Sequence, residues 1–173
     1  MSRLSKIAFP DALTYANLCL GIISILTSLN GSYKLSALLI IAACLADRYG
    51  GIAGKRLKVS SDYGRQLVSL ANFVSFGIAP SILVFMLYGF EAFGPAGYLL
   101  VLVFPVAAAH RIAAGRCAQK TAISFFGSPV LAGTTLAVFA LITADNPVLK
   151  ELAVIIVAAL SYMLASRFTS TRG

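Results

Sequence analysis

Six apolar segments can be marked along this chain, at approximately Ala12 to Leu29, Lys34 to Asp47, Val68 to Leu87, Pro95 to Ala109, Pro129 to Ala144 and Leu149 to Ser166. A bilayer core demands about 17 to 25 residues of helix, and on that measure the pattern predicts an all-α fold of six transmembrane helices. The second and fourth segments are short as apolar runs, so their helices are expected to continue past the membrane face as polar, charged turns. Asn30-Gly31-Ser32, Gly94-Pro95 and Asp145-Asn146-Pro147 are turn signals on the opposite side. No repeat of fixed period and no low-complexity linker divides the sequence, which reads as a single integral membrane domain over 1–173. Ahead of the first segment, Arg3 and Lys6 stand among Leu4, Ile7 and Phe9, which suits a short segment lying on an anionic membrane face before Pro10. The apolar run that follows is longer than a signal-peptide core, so no signal peptide is expected.

Composition agrees with this reading. Hydrophobic residues make up 59% of the chain and charged residues 12%, with a mean hydropathy of +0.89, outside the range of soluble globular domains. A soluble helical core would need far more polar surface than 6 acidic and 14 basic residues supply. The net charge of +8 suggests nucleic acid until its distribution is considered. Six spans gather Arg3, Lys6, Arg48, Lys55, Arg56, Lys58, Arg65, Arg111, Arg116, Lys120, Arg167 and Arg172 on one side and leave Lys34 and Lys150 on the other. The positive-inside rule places the crowded side, with both termini, in the cytoplasm. Anionic lipid or phosphate ligands fit that charge, and no nucleic-acid module is visible. Cys19, Cys44 and Cys117 are widely spaced and odd in number, which indicates neither a disulfide framework nor a zinc site.

The polar chemistry is concentrated between Ala46 and Pro80. Asp47 and Arg48 end an apolar run, Gly50, Gly51 and Gly54 follow, and Lys55, Arg56, Lys58 and Arg65 crowd the connection to the next run. The expected result is a polar cavity opening to the cytoplasm between the second and third spans. The bases suit phosphate, although positive-inside topology alone would also produce them. The glycines suit close approach of backbone to a ligand, and equally close helix packing. His110 beside Arg111 reads as an interfacial residue rather than an acid-base pair, and Tyr49, Tyr63, Tyr98 and Tyr162 as interface-belt residues. No nucleophile elbow, P-loop or metal-binding histidine pair appears.

These residues carry a resemblance. The stretch resembles the signature of the CDP-alcohol phosphatidyltransferase family, D-x-x-D-G-x-x-A-R, about eight residues, then G-x-x-x-D-x-x-x-D. Within the family it looks most like the phosphatidylserine synthases, because SLANFVSFGIAP over Ser69 to Pro80 follows their S-L/F-A-D-x-V-S/T-F-G-V/I-A-P. Asn17 and Gly21, Arg111-Ile112-Ala113, and Phe126-Gly127 followed by Pro129 extend the match.

Aligned on Asp47, Gly51 and Gly64, the family's second, third and fourth aspartates fall on Gly50, Val68 and Asn72, and its Ala-Arg pair on Gly54-Lys55. Ala114-Gly115-Arg116 stands where relatives continue Arg-Phe-Asn, and Ser128 where a leucine is usual. The resemblance implies Mg2+ or Mn2+ held against a pyrophosphate, with Asp47 the retained ligand, Gly50 and Val68 at lost ligand positions and Asn72 at the general-base position. It implies nucleotide contacts at Asn17, Gly51, Gly54 and Gly64, phosphate or lipid contacts at Lys55, Arg56, Arg65, Arg111 and Arg116, and a homodimer. The family reaction is attack of the L-serine hydroxyl on CDP-diacylglycerol to give phosphatidylserine and CMP. Hard cations want several oxygen ligands, so the expectation for this sequence is the family scaffold, catalytically impaired or dead. Two alternatives are an active transferase with a rearranged metal site, drawing on Asp11 or Asp62, and a non-catalytic lipid or nucleotide binding or transport protein.

Overall fold

In a computed structural model the chain is all-helical, and residues 3–57, 61–117, 128–144 and 150–166 are described. The elements run α1 (Arg3–Leu29), α2 (Tyr33–Arg56), α3 (Asp62–Phe73), a π-helical segment (Val74–Ile78), α4 (Ala79–Tyr88), a short 3-10 turn (Phe90–Phe93), α5 (Pro95–Cys117), α6 (Pro129–Thr143) and α7 (Lys150–Ser166). Four stretches are long and apolar enough to cross a membrane: Phe9–Leu29, Tyr33–Arg56, Asp62–Tyr88 and Pro95–Ala114. Two apolar helices, Pro129–Thr143 and Leu152–Leu164, are shorter. At 1.5 Å per residue the 15-residue α6 extends only about 22 Å, less than a bilayer core of about 30 Å. The chain is an integral membrane protein in which α6 and α7 are the short members.

Two element boundaries depart from the apolar pattern, each for a local reason. The segment expected to end at Pro10 is instead the start of α1, which runs through the proline. A proline costs the helix its own backbone donor, and here the loss falls in the first turns of α1, ahead of the apolar run; Thr14 Oγ1 separately donates to the Pro10 carbonyl at 3.1 Å. The third helix begins at Asp62, ahead of the apolar run at Val68, because Ser61 caps it: its Oγ accepts from the Gly64 N–H at 2.9 Å. The predicted extensions of the second and fourth runs are present, as α2 continues to Arg56 and α5 to Cys117.

α1 and α2 form a hairpin closed at Asn30-Gly31-Ser32. Gly31 takes φ of 76°, and the N–H groups of Gly31 and Ser32 reach back to the carbonyls of Ser28 and Thr27 at 3.0 and 2.9 Å, satisfying the end of α1. Two apolar clusters then hold the bundle. One joins Ala37, Ile40 and Ala43 of α2 to Phe76, Ala79 and Leu83 and to Ala137 and Ala140 of α6. The other joins Val84 and Tyr88 of α4 to Phe104 and Ala108 of α5, Leu136 of α6 and Val157 of α7. Alanines at these crossings let helices approach where lipid offers no hydrophobic drive.

The π segment is clasped from both sides. A Cβ at Gly21 of α1 would lie 2.9 Å from Ser75 Cα, and one at Gly133 of α6 would lie 2.8 Å from Phe76 Cα. Both crossings therefore need glycine. At the far end of the bundle, Tyr88 and Thr143 hydroxyls bond one another, and Phe90 and Phe139 lie against the Tyr88 ring.

Candidate functional site

A polar and small face runs along α1 through Thr14, Asn17, Gly21, Ser24 and Ser28, spaced 3, 4, 3 and 4 residues apart. That spacing keeps one face of a helix in register. The four polar members are all buried. Asn17 Nδ2 donates to Asn72 Oδ1 of α3 at 2.8 Å, and the Asn17 carbonyl accepts from Ser75 Oγ at 2.9 Å. Asn72 lies in turn beside the side chain of Asp47 on α2. Three helices thus meet at one line of side chains: Asn17, Asn72, Asp47.

Asn17 meets Asn72 through its NH2 group, so its own oxygen is left over, fully buried with no hydrogen-bond partner among the described residues. An orphan of this kind costs about 1–3 kcal/mol.

The remaining positions singled out by the sequence are placed as follows. Gly50 is buried on the α1 side of α2, where a β-carbon would meet Leu13 Cβ at 3.4 Å and the Pro10 carbonyl at 3.7 Å. Val68 is 37% exposed on α3. Gly51 is exposed and opens onto space, with nothing within 4 Å of a β-carbon there, and Gly54 is half-buried one turn further along α2. A β-carbon at Gly64 would lie 3.1 Å from Ser61 Oγ and 3.4 Å from Asp11 Oδ1, which brings the Asp11 carboxylate to the first turn of α3. Lys55 and Arg56 are exposed at the end of α2, about 12 Å along the axis from Asp47. Arg65 is exposed and pairs with Asp62. Arg111 is half-buried on α5 and engaged in contacts. Arg116 belongs to α5, but its side chain lies outside the described residues, as do Lys58, Phe126-Gly127 and Asp145-Asn146-Pro147.

The structure therefore brings together Asn17, Asp47 and Asn72 and turns Gly50 toward α1. It adds two features that the sequence reading did not single out. Ser75 fills the notch at Gly21 and ties the π segment to Asn17. Tyr15 and Tyr63 bond through their hydroxyls at 2.7 Å on the exposed side of α1 and α3. The 3-and-4 spacing on α1 was the available signal for the first; nothing in the sequence signals the second.

A divalent cation does not fit this donor set. Magnesium and manganese want several oxygens, usually with more than one carboxylate. Here Asp47 brings one carboxylate, the amide oxygen of Asn72 beside it is already engaged by Asn17, and Gly50 and Val68 bring no ligand atom from a side chain. Among the described residues no three His, Cys, Asp or Glu side chains come together.

Comparison with known proteins gives the wider setting. The profile of the CDP-alcohol phosphatidyltransferase family matches residues 7–166. The CDP-diacylglycerol--serine O-phosphatidyltransferase of Helicobacter pylori is 29% identical over 140 residues, which is 80% of this chain and 58% of that protein. The enzyme of the same name from Bacillus subtilis is 28% identical over 159 residues, 91% of this chain and 86% of that one. An archaetidylserine synthase of Methanothermobacter thermautotrophicus is 37% identical over 83 residues, 47% of this chain and 36% of that one. The chain thus spans little more than half the length of the Helicobacter relative and most of the Bacillus one.

Proposed function

The chain belongs to the CDP-alcohol phosphatidyltransferase family, and from that premise we propose that it is a phosphatidylserine-synthase-like membrane scaffold whose transferase chemistry is lost. Its relatives are named for transfer from CDP-diacylglycerol to serine. In this reading all six apolar helices span the cytoplasmic membrane, both termini and the polar pocket face the cytoplasm, and the scaffold works as a homodimer. The twelve-to-two distribution of bases supports that orientation. Lys55, Arg56, Arg65, Arg111 and Arg116 would attract the phosphates of a CDP-lipid or phospholipid headgroup, with the open α2 surface at Gly51 and Gly54, and Gly64 and Asn17, contacting the nucleotide.

The observation that carries the loss of activity is Asn72 beside Asp47, its amide oxygen already held by Asn17 Nδ2 at 2.8 Å. The position from which a base would take the serine hydroxyl proton holds an amide, which cannot accept one. A general base contributes about 10²- to 10⁴-fold, and charge stabilisation at the leaving group several kcal/mol more. Little turnover should remain without them. The test is release of CMP from CDP-diacylglycerol in detergent micelles with L-serine and Mn2+ or Mg2+, beside the Bacillus subtilis relative. We expect release by the relative alone, and serine-dependent release by this chain would overturn the reading.

A second reading, an active site built from rearranged carboxylates, draws on Asp11 standing at the first turn of α3 beside Gly64. It requires that any activity found be abolished by Asp11→Asn.

A further inference from the structure

We propose that Pro80 is a positioning residue for Asn72: by keeping the turn Val74–Ile78 in its π-helical form it sets the rotation of α3 at which Asn72 meets Asn17. This goes beyond the proposed loss of transfer and holds whether or not the chain turns over a substrate, since it concerns the rotation of a helix and not the chemistry at its surface.

The long helix Asp62–Tyr88 buries Ala71, Ser75, Ala79 and Leu83, which follow one another every four residues. Four residues sweep about 400° of an α-helix, so each step overshoots a straight stripe by about 40°. A π turn closes its hydrogen bond over one residue more than an α turn and takes up that drift. Here the Ala79 N–H reaches back to the Val74 carbonyl, and the buried side of α4 comes into line with that of α3. Were the turn α-helical, α3 would stand rotated by one residue's worth, about 100°. Asn72 would then leave the position in which Asn17 Nδ2 reaches its oxygen at 2.8 Å.

Pro80 opposes the α-helical form from inside the helix. Its ring would press on the Phe76 carbonyl, four residues back, and it has no N–H to offer that oxygen. The same carbonyl is the group that meets α6, where a β-carbon at Gly133 would run into the Phe76 oxygen and lie 2.8 Å from Phe76 Cα. A proline alone signals only a kink; the glycine crossing leaves the carbonyl room on the outside. Ser81 Oγ donates to the Gly77 carbonyl at 2.8 Å, serving the turn where Pro80 cannot. On the other side Ser75, seated against Gly21 with its Oγ on the Asn17 carbonyl at 2.9 Å, ties the turn to the residue that Asn72 meets.

The test uses the full chain in detergent, with its 3 native cysteines replaced by alanine and spin labels attached at Leu26→Cys on α1 and Gln66→Cys on α3, both exposed positions. Double electron–electron resonance reads their separation. Pro80→Ala should change it by up to about 8 Å, the chord of about 100° on a helix about 10–12 Å across. Pro105→Ala, which removes the proline inside α5, should leave it unchanged. Deleting the half-buried Ile78 from the Pro80→Ala chain takes out the residue that the π turn absorbs, and should restore the wild-type separation. A second readout is the coupling of Asn17→Leu and Asn72→Leu in unfolding midpoints. Their effects should be non-additive in the wild type and additive in Pro80→Ala.

A folded Pro80→Ala chain with an unchanged separation or with the coupling retained would overturn the assignment, as would an equal shift in Pro105→Ala. Should Pro80→Ala alone fail to fold, the deletion variant decides: the wild-type separation supports the assignment, and a different separation or a second failure to fold overturns it. Both readouts are taken without substrate, so serine-dependent CMP release by the wild type would break the functional reading and leave this one standing.

Discussion

Two polar clusters lie along one face of α1, only two turns apart, and they solve the problem of buried polarity in different ways. At Ser24, Ser28 and Ser36 the partners are hydroxyls, joined at 2.8 and 2.6 Å, with Ser24 Oγ also 3.0 Å from the Ser36 carbonyl. A hydroxyl donates and accepts, so the cluster can rotate its protons until every member is served. At Asn17 and Asn72 the partners are amides, each carrying its donor and its acceptor on separate atoms. One contact serves only one end of Asn17, and its oxygen stays unmet. The serine cluster has the character of interhelical glue. The amide pair keeps an unmet acceptor instead.

The comparison can be broken from the middle. Gly21 sits between the clusters, and its missing Cβ admits Ser75. Gly21→Leu should separate α1 from the π segment, disrupt both clusters and leave no monodisperse protein by size-exclusion chromatography in detergent. A smaller effect is expected at Asn17, where Asn17→Asp sets an acceptor against the Asn72 oxygen and adds buried charge. It should cost about 3–5 kcal/mol, against about 1–3 kcal/mol for Asn17→Leu, which strands one acceptor while relieving the orphan. Detergent unfolding curves would rank the two, and equal costs would refute the donor role of Asn17 toward Asn72. The smallest effect belongs to Ser24→Ala. Ser28 still bonds Ser36, and the loss should stay near 1 kcal/mol, in the range measured for polar contacts within membranes. A loss as large as that of Asn17→Asp would erase the distinction between glue and site.

Much of the architecture was legible because it rests on local chemistry. The apolar runs gave all the long helices, Gly31 gave the first turn, and the polar continuation of α2 to Arg56 followed from the shortness of its apolar run. Helix starts were less legible where polar residues precede the run: Ser61 caps α3 well before the first apolar stretch, and Pro10 sits inside α1 with Thr14 beside it. The π segment gave no signal, since VSFGI reads equally well as ordinary helix and its geometry depends on α1 and α6 pressing glycine backbones against it. At the site, the resemblance identified Asp47, Asn72 and Asn17 as corresponding positions. It did not reveal that Asn17 and Asn72 bond one another beside Asp47, because they are 55 residues apart and meet only in the folded chain. Gly50 was read as a lost ligand position, and its present work, packing α2 on α1 at Leu13, is likewise visible only in three dimensions.

The central claim is that this chain keeps a synthase-like scaffold around a junction that no longer performs phosphatidyl transfer. It is tested most directly by measuring serine-dependent CMP release side by side for the wild type and for a variant carrying Gly50→Asp, Val68→Asp and Asn72→Asp together. The account predicts no release above background from the wild type under any metal. It predicts Mn2+- or Mg2+-dependent release from the triple variant, with each single replacement inactive, because a cation needs several ligands at once. Release by the wild type would contradict the claim outright, and a folded triple variant that binds no metal would show that the retained scaffold is not that of its relatives.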